Sequence, residues 1–353
     1  MFTKPLLSVV VPAYQAEASI GRLLDSLCAW DGSDAEIIVV NDGSTDGTHA
    51  LVAAYAARDA RICLIDKENG GRSSARNAGV AMARGEWVMF ADSDDYLLDD
   101  WPDRIKAVAE STCDLVIFGV EKSTQKGIHA SRCLEAKRDS IPAARVRRAF
   151  IDGGFSDLIP AAESFGWNAC WSRLYRRSCV SKASALVEGR LFPEGLKFSE
   201  DRLFNLLYLD AIDGGTVLLD YAPVYYWDLG LSSTVSKPSS NDAAGLVAYK
   251  AALDNAAYHF TVDDACKLMS AEVASQFRRS ARLPARDLNA AAEIWKHLLE
   301  AGVLEGCRPY LARFMGKRAW MFKPAVALLF AGKPYAALLC ERIVQMVGAK
   351  IHG

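Results

Sequence analysis

The first 120 residues alternate apolar runs of strand length with stretches of helical spacing, and this alternation restricts the fold more than any other feature of the chain. Residues 7–11, 36–40, 61–65, 86–91 and 114–120 read as strands, and 19–29, 48–58, 73–83 and 99–110 as the helices between them. In the first helix Ile20, Leu23, Leu24 and Leu27 recur on one face, and Ser19 is placed to cap it. The run 36–40 is nearly continuously apolar, which suits a strand buried on both faces. Strands joined by helices of about ten residues pair in parallel through right-handed crossovers. The expected class is therefore α/β, a doubly wound, mostly parallel sheet flanked by helices.

Beyond residue 120 the pattern loosens. Residues 121–165 carry a basic run, Lys137-Arg138 followed by Arg145, Arg147 and Arg148, which reads as a solvated helix face. A second ordered block begins at Gly166, continues through Phe192-Pro193-Glu194-Gly195 to Phe198-Ser199-Glu200-Asp201-Arg202, and forms a helix to Leu209. Residues 216–221 and 224–227 follow as strands. From Asn241 the chain is alanine-rich and helical, with breaks expected near Pro284, Pro309, Pro324 and Pro334. The expected division is 1–120, 121–235 and a helical extension over 236–353.

A formal charge of -2 gives no global attraction to nucleic acid. Nine scattered cysteines without a Cys-x-x-Cys pair argue against a disulfide framework or a zinc site and for a reducing compartment. The chain enters its first apolar run after a single Lys4, without the pattern of a signal peptide, and no apolar segment reaches spanning length. A cytoplasmic protein is the expectation.

The chemistry centres on Trp87-Val88-Met89-Phe90-Ala91-Asp92-Ser93-Asp94-Asp95. A buried strand here delivers clustered carboxylates at its C-terminal end, where open α/β sheets bind ligands. Such charge suits a divalent cation, magnesium or manganese, brought together with a phosphate; the plainer reading is a polar turn capping the next helix. Three other loops end on the same sheet edge: Pro12-Ala13-Tyr14, Asn41-Asp42-Gly43-Ser44, and Gly70-Gly71-Arg72 with Arg76-Asn77. Asp42 can accept from the edge of a base, Tyr14 can pack beside it, and Arg76 can fork onto a diphosphate. Equally, Asp42 can close an Asx turn, Arg76 can pair with an acid, and Gly70-Gly71 can be a tight turn. Their shared placement favours a nucleotide site.

Glu200 and Asp201 follow Ser199, a candidate N-cap, and fall in the first turn of a helix. Acids there complement the helix dipole, and the same dipole keeps a carboxylate ionised and able to take a proton from a hydroxyl. Trp167, Trp171, Tyr175, Tyr225, Tyr226 and Trp227 flank this helix in sequence, either as core or as flat surfaces for a sugar ring. The five histidines show no ligand spacing, and no serine or cysteine lies in a nucleophile motif.

Taken together, these segments resemble the family 2 glycosyltransferases of GT-A fold, especially those building bacterial capsular, O-antigen or exopolysaccharide. The resemblance rests on residues 7–14, 41–47, 70–79 and 90–95, then on 171–176 and 198–201, and covers roughly the first 235 residues. It implies an inverting displacement from a nucleoside-diphosphate sugar, usually UDP-linked. Carried over by position, Pro12, Ala13, Tyr14 and Asp42 would hold the nucleoside, Arg76 the nucleotide region, and Asp92 with Ser93 the donor. Asp92 and Asp94 would bind manganese or magnesium, Asp201 would be the catalytic base, and Trp171 and Glu200 would face the acceptor, a glycan or lipid-linked saccharide. Asn41 stands where a second acid is common, and Arg173 where lysine often lies.

Residues 317–347 place short apolar runs between basic residues, with Lys323-Pro324 and Lys333-Pro334 as interruptions. Peripheral contact with the inner face of the cell membrane is one reading; a helical subdomain or homo-oligomer interface is the other. Two further function classes stand beside the main one: a nucleotidyltransferase making a nucleotide sugar, disfavoured because residues 12–16 form no glycine-rich phosphate loop, and a nucleotide-sugar-binding protein without turnover.

Overall fold

A computed structural model describes residues 4–124, 127–129, 137–155, 166–228, 239, 241–255, 258–314 and 319–350. The chain forms two compact units, the first from Met1–Phe150, Gly154–Gly195 and Glu200–Val235, the second from Ile151–Gly153, Leu196–Ser199 and Ser236–Gly353.

The first unit is built on a ten-stranded sheet. Strands β1 (Leu7–Ala13), β2 (Ala35–Asp42), β3 (Ile62–Lys67) and β4 (Trp87–Phe90) pair in parallel in the order β3-β2-β1-β4. Between them run helices α1 (Ile20–Cys28), α2 (Thr48–Ala56) and α3 (Gly71–Met82). All eight residues of β2 are buried, as its unbroken apolar run requires of a strand covered on both faces. Helix α1 buries Ile20, Leu23, Leu24 and Leu27, the row its spacing picks out, but Ser19 makes no side-chain capping bond.

The chain continues through β5 (Tyr96–Leu97), α4 (Trp101–Ala109), β6 (Leu115–Thr124), β7 (Gly127–His129), β8 (Arg138–Pro142), α5 (Ala143–Asp152), β9 (Arg173–Arg176), α6 (Arg177–Leu186), α7 (Glu200–Ala211) and β10 (Thr216–Trp227). The fifth expected strand, β6, does not join β4. Strand β9 lies between them, antiparallel to both, and the sheet runs on as β6-β10-β5. The doubly wound sheet is therefore mixed at this point, because a strand contributed from beyond residue 170 fills the gap that a local crossover would have closed. The two strands expected over 216–227 are one, β10, whose pairing with β6 shifts register between Asp220 and Tyr225.

The second unit is helical: α8 (Gly245–Leu253), α9 (Val262–Ala281), α10 (Leu288–Glu300), α11 (Arg308–Phe314), α12 (Ala319–Phe330) and α13 (Pro334–Lys350). Helix α9 opens with a capping box, in which Thr261 Oγ1 accepts from the Asp264 amide while the Asp264 carboxylate accepts from the Thr261 amide. Pro334 begins α13, but α12 runs through Pro324. No helix among the described residues is long and apolar enough to cross a membrane.

Candidate active site

Strands β1, β2 and β4 bring their C-terminal ends to one edge of the sheet, as parallel neighbours must. At the end of β1, Ala13 is buried while Tyr14 is 55% exposed. At the end of β2, Asp42 is buried and fully engaged. Its Oδ1 accepts from Lys67 Nζ at 2.6 Å and from the Gly70 amide at 3.0 Å, and its Oδ2 accepts from the Gly71 amide at 2.8 Å. The carboxylate thus clasps the end of β2 to the start of α3. Gly43 has φ +73°, and a Cβ there would stand 2.8 Å from the Asn69 nitrogen, so only glycine lets the two loops meet. Further along α3, a Cβ on Gly79 would reach 2.4 Å from Val10 Cγ1. The helix lies close on β1, and that seating fixes where Arg72 and Arg76, one turn apart on α3, can reach.

Arg76 is only 2% exposed and bridges two carboxylates distant in sequence. Its Nη1 donates to Asp201 Oδ1 at 2.6 Å and its Nη2 to Asp92 Oδ1 at 2.7 Å, with Glu200 Oε1 at 3.5 Å from Nη1. Arg72 pairs with Glu200, donating from Nη2 to Oε2 at 3.0 Å. Arg76 therefore meets acids, the plainer of the two roles its sequence allows. Burial pushes the Asp201 carboxyl up to about 6 against the pull of Arg76, with Glu200 and Asp92 adding to the rise. A carboxylate in that range is a competent proton acceptor near neutral pH.

The acidic turn after β4 is braced from β10. The Asp92 amide donates to Tyr225 Oη at 3.0 Å, and the same hydroxyl donates to Asp95 Oδ2 at 2.8 Å. The Asp228 amide donates to Asp95 Oδ1 at 2.9 Å, and Arg22 Nη2 donates to the Asp94 carbonyl at 2.9 Å. Asp95 is thus not a helix cap: α4 begins at Trp101 with Asp100 before it, and the Asp95 oxygens are committed to Tyr225 of β10 and to Asp228 just past its end. Burial, and then the nearby Asp92, push Asp95 up to about 8 and raise Asp94 in the same direction.

Carboxylate oxygens of Asp92, Asp94 and Asp95 lie within 4.8 Å of one another. Three acids this close, two of them held above the ordinary carboxylate range by burial and mutual repulsion, form an all-oxygen donor set that a hard divalent cation would relieve. Asp92 and Asp94 are the better ligands, since Asp95 already accepts two hydrogen bonds.

The remaining candidates fall nearby. Pro12 and Ser93 lie half-buried at the ends of β1 and β4. Glu200 is buried against Arg72, and Trp171 is 5% exposed, stacked on Tyr225 with centroids 4.8 Å apart and planes 3° from parallel. Ser199 does not cap α7; it has φ +61°, and its hydroxyl donates to Glu272. Arg173 is buried, donating to Asn205 Oδ1 and to the carbonyls of Gly166 and Trp167. Sequence reasoning gave no role to Arg72 and missed the bracing by Tyr225 and Asp228. Tyr225 sits among aromatics that signal core, and nothing local reveals that its hydroxyl meets a turn 130 residues earlier.

Comparison with known proteins fits this geometry. Residues 8–177 match the profile of Glycosyl transferase family 2. A stretch of 205 residues, 57% of this chain, is 38% identical to the uncharacterized glycosyltransferase EpsJ of Bacillus subtilis, covering 55% of it. Over 229 residues, 64% of this chain, identity to the succinoglycan biosynthesis protein ExoO of Rhizobium meliloti is 41%, covering 61% of it. The matches thus span a little over half the length of these relatives. A crystal structure of S. aureus TarS residues 1–349 with UDP-GlcNAc superposes with TM-score 0.62 at 20% identity, covering 96% of this chain and 91% of that one, which shows a shared fold of GT-A type. The acidic turn and the strand ends around it all lie within residues 8–177, the segment of this chain that is similar to glycosyl transferase family 2.

Proposed function

We propose that the protein is an inverting glycosyltransferase of surface polysaccharide assembly, moving a sugar from a nucleoside-diphosphate donor, of the UDP class, to a hydroxyl of a free or lipid-linked saccharide. One observation carries this reading: a single buried guanidinium, Arg76, holds Asp92 of the acidic turn and Asp201 of α7 on its two terminal nitrogens. A group suited to the donor's diphosphate end and a group suited to proton removal therefore sit on one guanidinium, close enough together for a single displacement. The name of the relative ExoO supports the assignment to polysaccharide synthesis.

In this mechanism Pro12, Ala13, Tyr14 and Asp42 line the nucleoside subsite, with Tyr14 supplying an open aromatic face and Asp42 keeping the α3 loop in place. Asp92 and Asp94, with Ser93 between them, would hold manganese or magnesium at the diphosphate. A bound cation would offset the charge that builds on the leaving group. Asp201 takes the proton of the acceptor hydroxyl. The oxygen forms its bond to the anomeric carbon as the bond to the diphosphate breaks, the electron pair departing with the diphosphate. Glu200 keeps Arg72 in register near the base, and Trp171 packs behind the acceptor side.

The test is turnover of a panel of nucleoside-diphosphate sugars with manganese and saccharide acceptors, read as released nucleoside diphosphate. Release with one donor, abolished in Asp201→Asn while donor binding persists, is the expected result. No release from any donor would overturn the reading, and pyrophosphate formed from a nucleoside triphosphate would replace it with nucleotidyl transfer.

A further inference from the structure

Helix α13 of the second unit leaves one face uncovered. Ala337, Leu338 and Glu341 are buried, whereas Tyr335, Leu339 and Ile343 are 44%, 42% and 55% exposed. These three stand at positions i, i+4 and i+8, one row about 12 Å long on an α-helix. The other exposed large hydrophobics among the described residues are Tyr14, Met82, Leu186, Val247 and Val262, and no two of them share a helix. The row on α13 is therefore a patch, whereas the others are isolated side chains of the kind any surface carries.

Charge indicates what covers it. From Lys317 to the end, the chain has six lysines or arginines and one acid, Glu341, which is buried. Lys323 of α12 and Lys333 just before α13 are exposed. A second copy would set like charges against each other across a shared patch, whereas an anionic bilayer would attract them. We propose that Tyr335, Leu339 and Ile343 dip into the headgroup boundary of an anionic membrane, with Lys323 and Lys333 held to its phosphates. The helix lies along the surface, and three side chains give a weak, reversible attachment that strengthens with anionic lipid.

Sedimentation of the full chain with phosphatidylcholine vesicles, with and without phosphatidylglycerol, tests this. The wild type should sediment only with the anionic vesicles, and added salt should release it. The triple variant Tyr335→Ser, Leu339→Ser, Ile343→Ser should bind about tenfold more weakly, and Lys323→Glu with Lys333→Glu should weaken binding several-fold. Circular dichroism checks that each variant folds; if the triple variant does not, Ile343→Ser and the lysine pair carry the test. Equal binding of wild type and variants, or no binding by the wild type, would overturn the proposal. A wild type that self-associates by analytical ultracentrifugation, with the serine variant monomeric and vesicle binding unchanged, would assign the face to a second copy instead.

Discussion

Asp95→Asn should stabilise the metal-free protein at alkaline pH and remove a pH dependence that the wild type carries. Asp95 is buried, and its carboxyl is pushed from 3.8 to about 8. Between those values the folded protein keeps a proton that the unfolded chain has lost, so stability falls as pH rises through that window. At 1.36 kcal/mol for each tenfold change, the full effect is roughly 5 kcal/mol. Asparagine preserves the shape: its carbonyl can accept from the Asp228 amide, and its amide can donate to Tyr225 Oη, which still accepts from Asp92. Only the titration goes. If half of the effect survives water reaching the turn, the variant melts roughly 5–10 °C above the wild type near pH 8.5 and level with it near pH 4. The assay is thermal unfolding followed by circular dichroism across that range, with EDTA present. Parallel melting curves for the two proteins at every pH would refute the argument that Asp95 is held protonated by its surroundings.

Three further outcomes follow from the site and its supports. Turnover should rise with pH through about 6, because Asp201 accepts a proton only when ionised and burial holds it near that value; a rate that is flat from pH 5 to 7 would remove Asp201 from the role of base. Tyr225→Phe keeps the stack on Trp171 but strips the hydroxyl shared by Asp92 and Asp95, a loss worth about 1–3 kcal/mol. Manganese affinity measured by paramagnetic resonance should fall about tenfold with it, and an unchanged affinity would show that the brace does not shape the acidic turn. Gly79→Ala should cost about 1–3 kcal/mol by forcing α3 off Val10, and a melting temperature equal to the wild type would contradict the close seating of that helix.

Much of the first sheet was legible in the sequence because its information is local. The apolar runs of β1 to β4 and the row Ile20, Leu23, Leu24, Leu27 each sit within a dozen residues and follow from the periods of strand and helix. The acidic turn was legible for the same reason, since a buried strand ending in carboxylates can be recognised without its partners. What escaped depends on residues far apart. Nothing near Arg173–Arg176 shows that β9 enters between β4 and β6, and nothing near Asp95 shows that its oxygens belong to Tyr225 and Asp228. Ser19 and Ser199 illustrate the opposite error: a local capping signal was present, but neither side chain caps the helix that follows it, and Ser199 spends its hydroxyl on Glu272. Arg76 lies between these cases, because its sequence permits both a diphosphate and an acid as partner, and only the fold chooses.

The position of β9 also bears on the order in which the molecule can be made. A ribosome releases β1 to β4 early, with all three aspartates of the turn already in place, yet the sheet cannot extend from β4 to β6 until Arg173–Arg176 has been synthesised. Until then, two strand edges stand open to chance pairing. The family profile ends at residue 177, one residue past β9. The matched segment thus extends as far as the strand that joins β4 to β6. Tyr225 arrives later still, so a nascent chain carries the acids of the donor site well before it carries the hydroxyl that braces them.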